Sequence, residues 1–351
     1  MERKNKYLAS ANTGIGFVNN FANINPHPKC YDYVLKGSSG SGKSTLMRKV
    51  GEYFFNQGYE IEYFYCSSDI NSLDGVRIVE KNISIIDGTA PHTMDATIPK
   101  INAEIINIGE YINSNVQKKS HKIIEKIEKK SIFYDKFYKN LKISKQISDL
   151  IDDYLKCEYV DIDLITQKLI KSLNLSQKNK NGKIRELFRS AITKNGVQTL
   201  INNYDKILTL ECDNYHASRI LEKVAKECCN CGYEVVTFMD IINPTKINAV
   251  FVKELNTLIE IKEIEYSRLI KSLATSKDKF IKLASQNLKQ AKAIHMQIEK
   301  CYHPYINFNG IDAIYTNLIT NISVKGDFPS MALDIKGISH PLKPLCKDGR
   351  P

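Results

Sequence analysis

Nine consecutive residues, Gly37-Ser38-Ser39-Gly40-Ser41-Gly42-Lys43-Ser44-Thr45, have the types and spacing to hold a phosphate chain. They fit the pattern G-x-x-x-x-G-K-[ST], and a β-rich apolar run, Tyr31 to Leu35, leads into them. Gly37, Gly40 and Gly42 permit backbone conformations that a side chain forbids, and let amides approach phosphate oxygens closely. A helix expected from about Ser44 to Gln57 would add the partial positive charge of its N-terminus at the same point. Lys43 would bring a mobile cation to the β- and γ-phosphates, and the Ser44 hydroxyl would ligate magnesium. The implied ligands are ATP and Mg2+.

Three more side chains are candidates for the chemistry. Asp87 ends the short apolar run Ile83-Ser-Ile-Ile-Asp87, where an acid is the expected second anchor of the magnesium shell; a strand-ending turn aspartate is the alternative. Asp69 closes Cys66-Ser-Ser-Asp69, after a strand expected over Glu60 to Cys66. Ligands of open α/β sheets sit beyond the carboxyl ends of strands, so Asp69 could act as a base or position a water; it could equally be a turn or helix cap. His92, in Gly88-Thr89-Ala90-Pro91-His92-Thr93, is either a proton shuttle, a contact to an acceptor, or a structural turn residue.

What the chain lacks narrows the class. Gly88 follows Asp87, so the Asp-Glu pair of transporter-type ATPases is absent, as is an Asn-Lys-x-Asp segment that would select guanine. Arg48 and Arg77 are the only arginines between Asn5 and Lys180, so no arginine-rich kinase lid is evident. The net charge of +11 is carried mostly by lysine. Its densest stretch, Lys118 to Lys130, has Ile123, Ile124 and Ile127 at helical spacing without interleaved aromatics, which describes a solvated helix face rather than a nucleic-acid surface. No apolar run reaches membrane-spanning length and no secretory leader is evident, so a cytoplasmic protein with reduced thiols is expected. The cluster Cys228-Cys229-Asn230-Cys231 has no second cluster to complete a zinc site.

The elements that must position these residues occur twice. Tyr33 to Ile86 aligns with Ile207 to Glu260 at a constant offset of 174, with twelve of 54 positions identical. Composition alone gives about three or four. Gly58-Tyr59-Glu60 falls over Gly232-Tyr233-Glu234, and Ser44 over Ser218. Upstream, Ser10-Ala11-Asn-Thr13 matches Ser190-Ala191-Ile-Thr193 at an offset of 180. Downstream, Asp135-Lys136-Phe137 is paired with Asp278-Lys279-Phe280. The expected fold is α/β: two tandem phosphate-loop NTPase-like units, each a mostly parallel sheet with flanking helices and an α-helical insert. The first spans 1–175 with its insert at about 101–173. The second spans 184–351 with its insert at about 261–322, and Ser176 to Gly182 links them.

Together, Gly37 to Thr45, Cys66-Ser-Ser-Asp69 with Ser72-Leu-Asp-Gly75-Val76, and Asp87-Gly-Thr-Ala-Pro-His92 resemble an uncharacterised bacterial family of tandem phosphate-loop proteins labelled ATPase or nucleotide kinase. The resemblance covers nearly the whole chain and implies ATP binding without a known substrate.

The second copy departs from that pattern. Under the ungapped alignment Lys43 falls on Ala217, Gly42 on His216, Gly40 on Asn214, Ser39 on Asp213, Gly37 on Glu211 and Asp87 on Ile261. The cation and the magnesium acid are gone, and carboxylates enter the space for an anion, so the second unit is expected to be inactive. Arg219, at the start of its helix, is a candidate charge-stabilising finger for the first unit. Two functions remain: hydrolysis or transfer of the γ-phosphate to a small-molecule acceptor, or a nucleotide-gated module with little turnover that acts on a protein partner.

Overall fold

The computed structural model describes residues 4–27, 29–90, 93–96, 98–262 and 264–324. The first half runs β1 (Lys4–Tyr7), β2 (Ser10–Thr13), β3 (Gly16–Asn19), β4 (Tyr31–Lys36), α1 (Lys43–Asn56), β5 (Ile61–Cys66), β6 (Asp69–Ile78), β7 (Ile83–Asp87) and β8 (Ala103–Asn107). Two helices follow, α2 (Ser120–Leu155) and α3 (Ile162–Leu173). The second half repeats the plan as β9 (Lys183–Leu187), β10 (Ser190–Thr193), β11 (Gly196–Thr199), β12 (Lys206–Glu211), α4 (Asn214–Asn230), β13 (Glu234–Met239), β14 (Ile247–Val252) and β15 (Thr257–Lys262). Its helices are α5 (Arg268–Tyr302) and α6 (Phe308–Val324).

Each half builds a mixed sheet. The first has the order β1-β5-β6-β7-β4-β8; the second, read the same way, is β9-β13-β14-β15-β12. The matching strands pair in the same sense: β1 with β5 and β4 with β7 are parallel, as are β9 with β13 and β12 with β15. The strands between them are antiparallel in both sheets. That differs from a run of parallel strands joined by crossovers. The reason is β6, whose Asp-Ile-Asn-Ser-Leu-Asp-Gly sequence carries the residues that strands usually lack, yet it is hydrogen-bonded on both sides. The inserts also begin later than expected: the first at Ser120, because Ala103–Asn107 forms β8 beside β4, and the second at Arg268, because β15 runs on to Lys262.

The two halves meet about an approximate twofold axis. Leu8 and Phe188, 180 residues apart, exchange both backbone hydrogen bonds at 2.9 Å. One face of each sheet packs on the other, with Tyr7, Phe64 and Ile86 against Leu187, Phe238 and Phe251. Helices therefore cover only the outer face of each sheet. On α1 the buried positions Leu46, Met47, Val50 and Phe54 form one stripe against the first sheet. Gly58, at φ 92°, ends that helix in the left-handed region, and Gly232, at φ 87°, does the same after α4.

The helical inserts are exchanged between halves. Ile306, Ile311, Ile314, Leu318 and Ile322, in and before α6, lie in the core of the first sheet with α1. Leu173 lies in the core of the second sheet, with Ile162, Ile165 and Leu169 of α3 packed against it. The long helices α2 and α5 run side by side over the strand ends, with Phe137 and Leu141 meeting Ala284 and Leu288. These helices end at Leu155 and Tyr302, which are 147 residues apart. At that offset the buried Ile123 and Leu141 match the buried Ile270 and Leu288. The pairing of Asp135-Lys136-Phe137 with Asp278-Lys279-Phe280 is thus about one helical turn out of step, because lysine-rich helices offer many near-matches. Among the described residues no helix is long and apolar enough to cross a membrane.

Candidate functional site

The parallel neighbours β4 and β7 end side by side, with Leu35 opposite Asp87. Residues 37–42 leave β4 and turn into α1, whose N-cap, Gly42, sits at φ 85°; Gly40 is at φ 74°. No side chain caps α1 and its first turn carries no acid, so its first amides are unspent by the protein's own carboxylates.

The Lys43 side chain is 9% exposed and is turned onto its own loop. Its ammonium donates to the carbonyls of Gly37 and Ser38 at 3.1 and 2.9 Å and lies 3.6 Å from Asp87 Oδ2. Asp87 Oδ1 accepts the Thr89 N–H at 2.9 Å. The Thr89 hydroxyl donates to the Gly37 carbonyl at 3.1 Å and sits 3.3 Å from the Gly37 N–H, which ties loop to strand end. Ser41 Oγ donates to Ser38 O at 2.8 Å, Ser38 and Ser39 are half-buried, and Gly40 and Thr45 are exposed. Thr89 is a site residue that motif reading passed over, although it stands in the quoted Asp-Gly-Thr run.

Ser44 accepts the Leu73 N–H at 2.9 Å. Ser218 accepts the Ile247 N–H at the same distance, and both partners are shifted by the same 174 residues. This hydrogen bond therefore belongs to the fold. A hydroxyl oxygen has a second lone pair, so Ser44 retains one acceptor position for a metal. Magnesium usually takes one or two protein ligands and completes its shell with phosphates and water. Ser44 and Asp87 fit such an ion, and among the described residues there is no group of three or more His, Cys, Asp or Glu that could cage a metal by itself. Replacing either serine by alanine should lower stability by a similar amount, about 1 kcal/mol. Only Ser44→Ala should weaken magnesium-dependent nucleotide binding. Urea midpoints and titrations with and without magnesium check both halves of that expectation.

Asp69 stands apart from the Lys43–Asp87 pair. It opens β6 and pairs at 3.0 Å with Lys292 of α5, whose side chain is 16% exposed. Burial raises the Asp69 carboxyl, but the Lys292 ammonium and the Asn71 N–H outweigh it and hold it below its usual range. Seven residues further along α5, two turns or about 10 Å, the Glu299 side chain lies over Gly40 of the loop. His295 sits between them and pairs with Glu299 at 3.4 Å. Past α5, Ile311 and Phe308 lie over Gly42. The helices of the second half thus roof the loop of the first. Arg219 does not take part in this: it stacks over Tyr215 on its own helix, at 6.0 Å. Lys292 is the second-half cation that reaches Asp69, and nothing in a lysine-rich sequence singles it out. His92 lies outside the described residues.

The second half has no comparable loop. Only Cys212 and Asp213 separate β12 from α4, where six residues separate β4 from α1. Leu210 pairs with Ile261 as Leu35 pairs with Asp87, which makes the offset 175 on the strand and 174 on the helix. One residue has been lost from the turn, so Lys36 rather than Gly37 falls on Glu211. The rest of the loop is wound into helix, since α4 starts three positions earlier than α1. Asp213 caps that helix, accepting from Tyr215 N and His216 N at 2.9 and 3.0 Å, and lies 2.7 Å from His216 Nδ1. A carboxylate of the chain itself occupies the anion position at the helix N-terminus.

No protein-family model matches the chain, and no curated protein and no solved structure matches it.

Proposed function

We propose that this chain binds ATP with magnesium in the loop Gly37 to Thr45 and cleaves or transfers the γ-phosphate there, as a tandem phosphate-loop NTPase whose second unit is inactive. The observation that carries the reading is the convergence of Lys43 and Asp87. They come from a helix start and a strand end and approach within 3.6 Å beside a glycine loop of left-handed turns. Phosphoryl transfer needs mainly positioning and charge neutralisation, which this arrangement is built to supply. A bound triphosphate would take the Lys43 ammonium from two carbonyls that hold it without charge. Magnesium, held by Ser44 and Asp87, would neutralise charge on the β- and γ-phosphate oxygens. The capped, shortened turn of the second half supports a single nucleotide per chain.

A second reading is favoured by the roof of α5 and α6. With Glu299 against Gly40, nucleotide binding would be felt directly by the second half, as a nucleotide-gated module requires.

The test is incubation with magnesium and γ-labelled ATP, with and without a small-metabolite extract, against Lys43→Ala. Label released as phosphate or moved to a metabolite, and lost in the variant, is the expected result. Lys43-dependent binding with turnover below about one per hour, the scale of an unassisted switch protein, would favour the gated module.

A further inference from the structure

The corner between α5 and α6 carries an aromatic ring that lies outside the core and that the proposed phosphate chemistry does not use. Phe308, the first residue of α6, is 40% exposed, and no other phenylalanine among the described residues is exposed. Its Cε1 lies 3.9 Å from where a Cβ on Gly42 would stand, so the ring rests at the rim of the glycine loop. The His303 ring lies beside it, with centroids 5.2 Å apart. The corner is fixed in place. Asn307 N–H donates to the Tyr111 carbonyl and Asn113 N–H to the Tyr305 carbonyl, both at 2.8 Å, and Lys49 of α1 pairs with Asp312 at 2.8 Å. Exposed aromatic surface held this firmly beside a ligand loop is surface that a ligand can cover.

The duplication supplies an independent view of this position. At an offset of 149, Ile311, Ile314, Leu318 and Ile322 of α6 fall on Ile162, Ile165, Leu169 and Leu173 of α3, and each set packs on one of the two sheets. The ion pair of Lys49 with Asp312 recurs as Lys223 with Asp163. On that register Phe308 falls on Tyr159, which is 91% exposed. An aromatic ring therefore stands at this place in both halves, and in the half without a glycine loop it stands in solvent. The fold does not need it for packing. In the first half the same ring borders the phosphate loop.

We propose that Phe308 stacks on the base of the nucleotide whose phosphates lie in the glycine loop, so that the second half supplies the base site of the first. This rests on the nucleotide reading above. The loop amides and the N-terminus of α1 grip phosphate, and the ribose and base must leave along the rim that Phe308 borders. A base offers a flat π-face that an aromatic side chain covers whatever its edge carries. Stacking buries the exposed ring and fastens the corner over the loop, with His303 steadying the ring. An inorganic triphosphate has no such face and gains nothing from Phe308.

The experiment measures binding of Mg-ATP and of Mg-tripolyphosphate to the full chain by titration calorimetry. Phe308→Ala should weaken Mg-ATP about tenfold, within the range of a base–aromatic stack, and leave Mg-tripolyphosphate unchanged. The chain contains no tryptophan, so Phe308→Trp places a single reporter at the position. That variant should keep the parental affinity, and its fluorescence should be quenched by Mg-ATP but not by Mg-tripolyphosphate. It decides the matter even if Phe308→Ala fails to fold. Lys43-dependent binding of Mg-ATP that is equal in Phe308→Ala, or that leaves the Phe308→Trp fluorescence unmoved, overturns the base site alone. Equal weakening of both ligands does the same, since it marks a ring that only props the loop. Mg-ATP that fails to bind the parent chain, or binds Lys43→Ala as well as the parent, overturns the nucleotide reading and the base site with it.

Discussion

A chain ending at Leu175 should fail to fold as a nucleotide-binding unit, whereas the full chain nicked between Ser176 and Gly182 should stay folded and bind. The first sheet is completed by helices from beyond residue 300. Ile306, Ile311, Ile314, Leu318 and Ile322 fill the layer over α1. At about 1.5–3 kcal/mol per buried aliphatic side chain, these five contribute on the order of 10 kcal/mol. That figure is an upper estimate, since unfolded chains bury some surface already. It is nevertheless comparable with the whole stability of an ordinary domain, about 5–15 kcal/mol. Residues 1–175 alone should therefore give a non-cooperative urea transition and no analogue binding. The nicked chain should co-purify as two fragments with a cooperative transition. A truncated half that melts cooperatively and binds would show that the exchanged helices are ornaments on a self-sufficient core.

Arg185→Met should cost about 3–5 kcal/mol, the range for stranding one partner of a buried ion pair. Arg185, on β9, is 1% exposed and grips Glu62 of β5 with two bonds of 2.9 Å. It also donates to the carbonyls of Asn23 and Ile24, while Arg77 and Lys253 approach Glu62 from other sides. Glu62 is fully buried, and without Arg185 its charge would rest on the two weaker partners. Burial raises the Glu62 carboxyl, but Arg185, Lys253 and Arg77 together outweigh it and hold it well below the usual carboxylate range. Its folded pKa is depressed, so its contribution is complete above the unfolded value of about 4.3 and is lost as pH falls below that. Urea midpoints of the parent chain should therefore fall steeply from pH 5 to pH 3. In Arg185→Met the acid limb should be flatter, because much of the stabilisation that protonation removes is already gone. Equal slopes in the two proteins would mean that Glu62 is not what Arg185 holds.

Much of this fold was legible because duplication printed it twice. The offset of 174 placed β5, β7, β13 and β15 within a residue or so, since glycine turns and short apolar runs survive divergence; the match at an offset of 180 marked the two hairpins as equivalent segments without showing that they are hairpins. β6 was not legible: its strand is made by neighbours on both sides, which no local propensity reports. The shortened turn was hidden for a related reason. A single lost residue in a region without identities leaves an ungapped alignment undisturbed, and only the pairing of Leu210 with Ile261 reveals it. Exchange of the inserts could not be read at all. The apolar stripe of α6 says that a sheet must cover it but not which of two similar sheets does so. Lys43 and Asp87 were found through a spacing pattern tied to local geometry. Lys292 carries no such pattern, because its pairing with Asp69 joins two distant stretches of chain.

The most direct test of the central claim is the stoichiometry of Mg-ATP binding to the intact chain by titration calorimetry. One site per chain is predicted, lost in Lys43→Ala and kept in Ser218→Ala. Two sites, or one site that survives Lys43→Ala, would contradict the assignment of the nucleotide to the glycine loop of the first half.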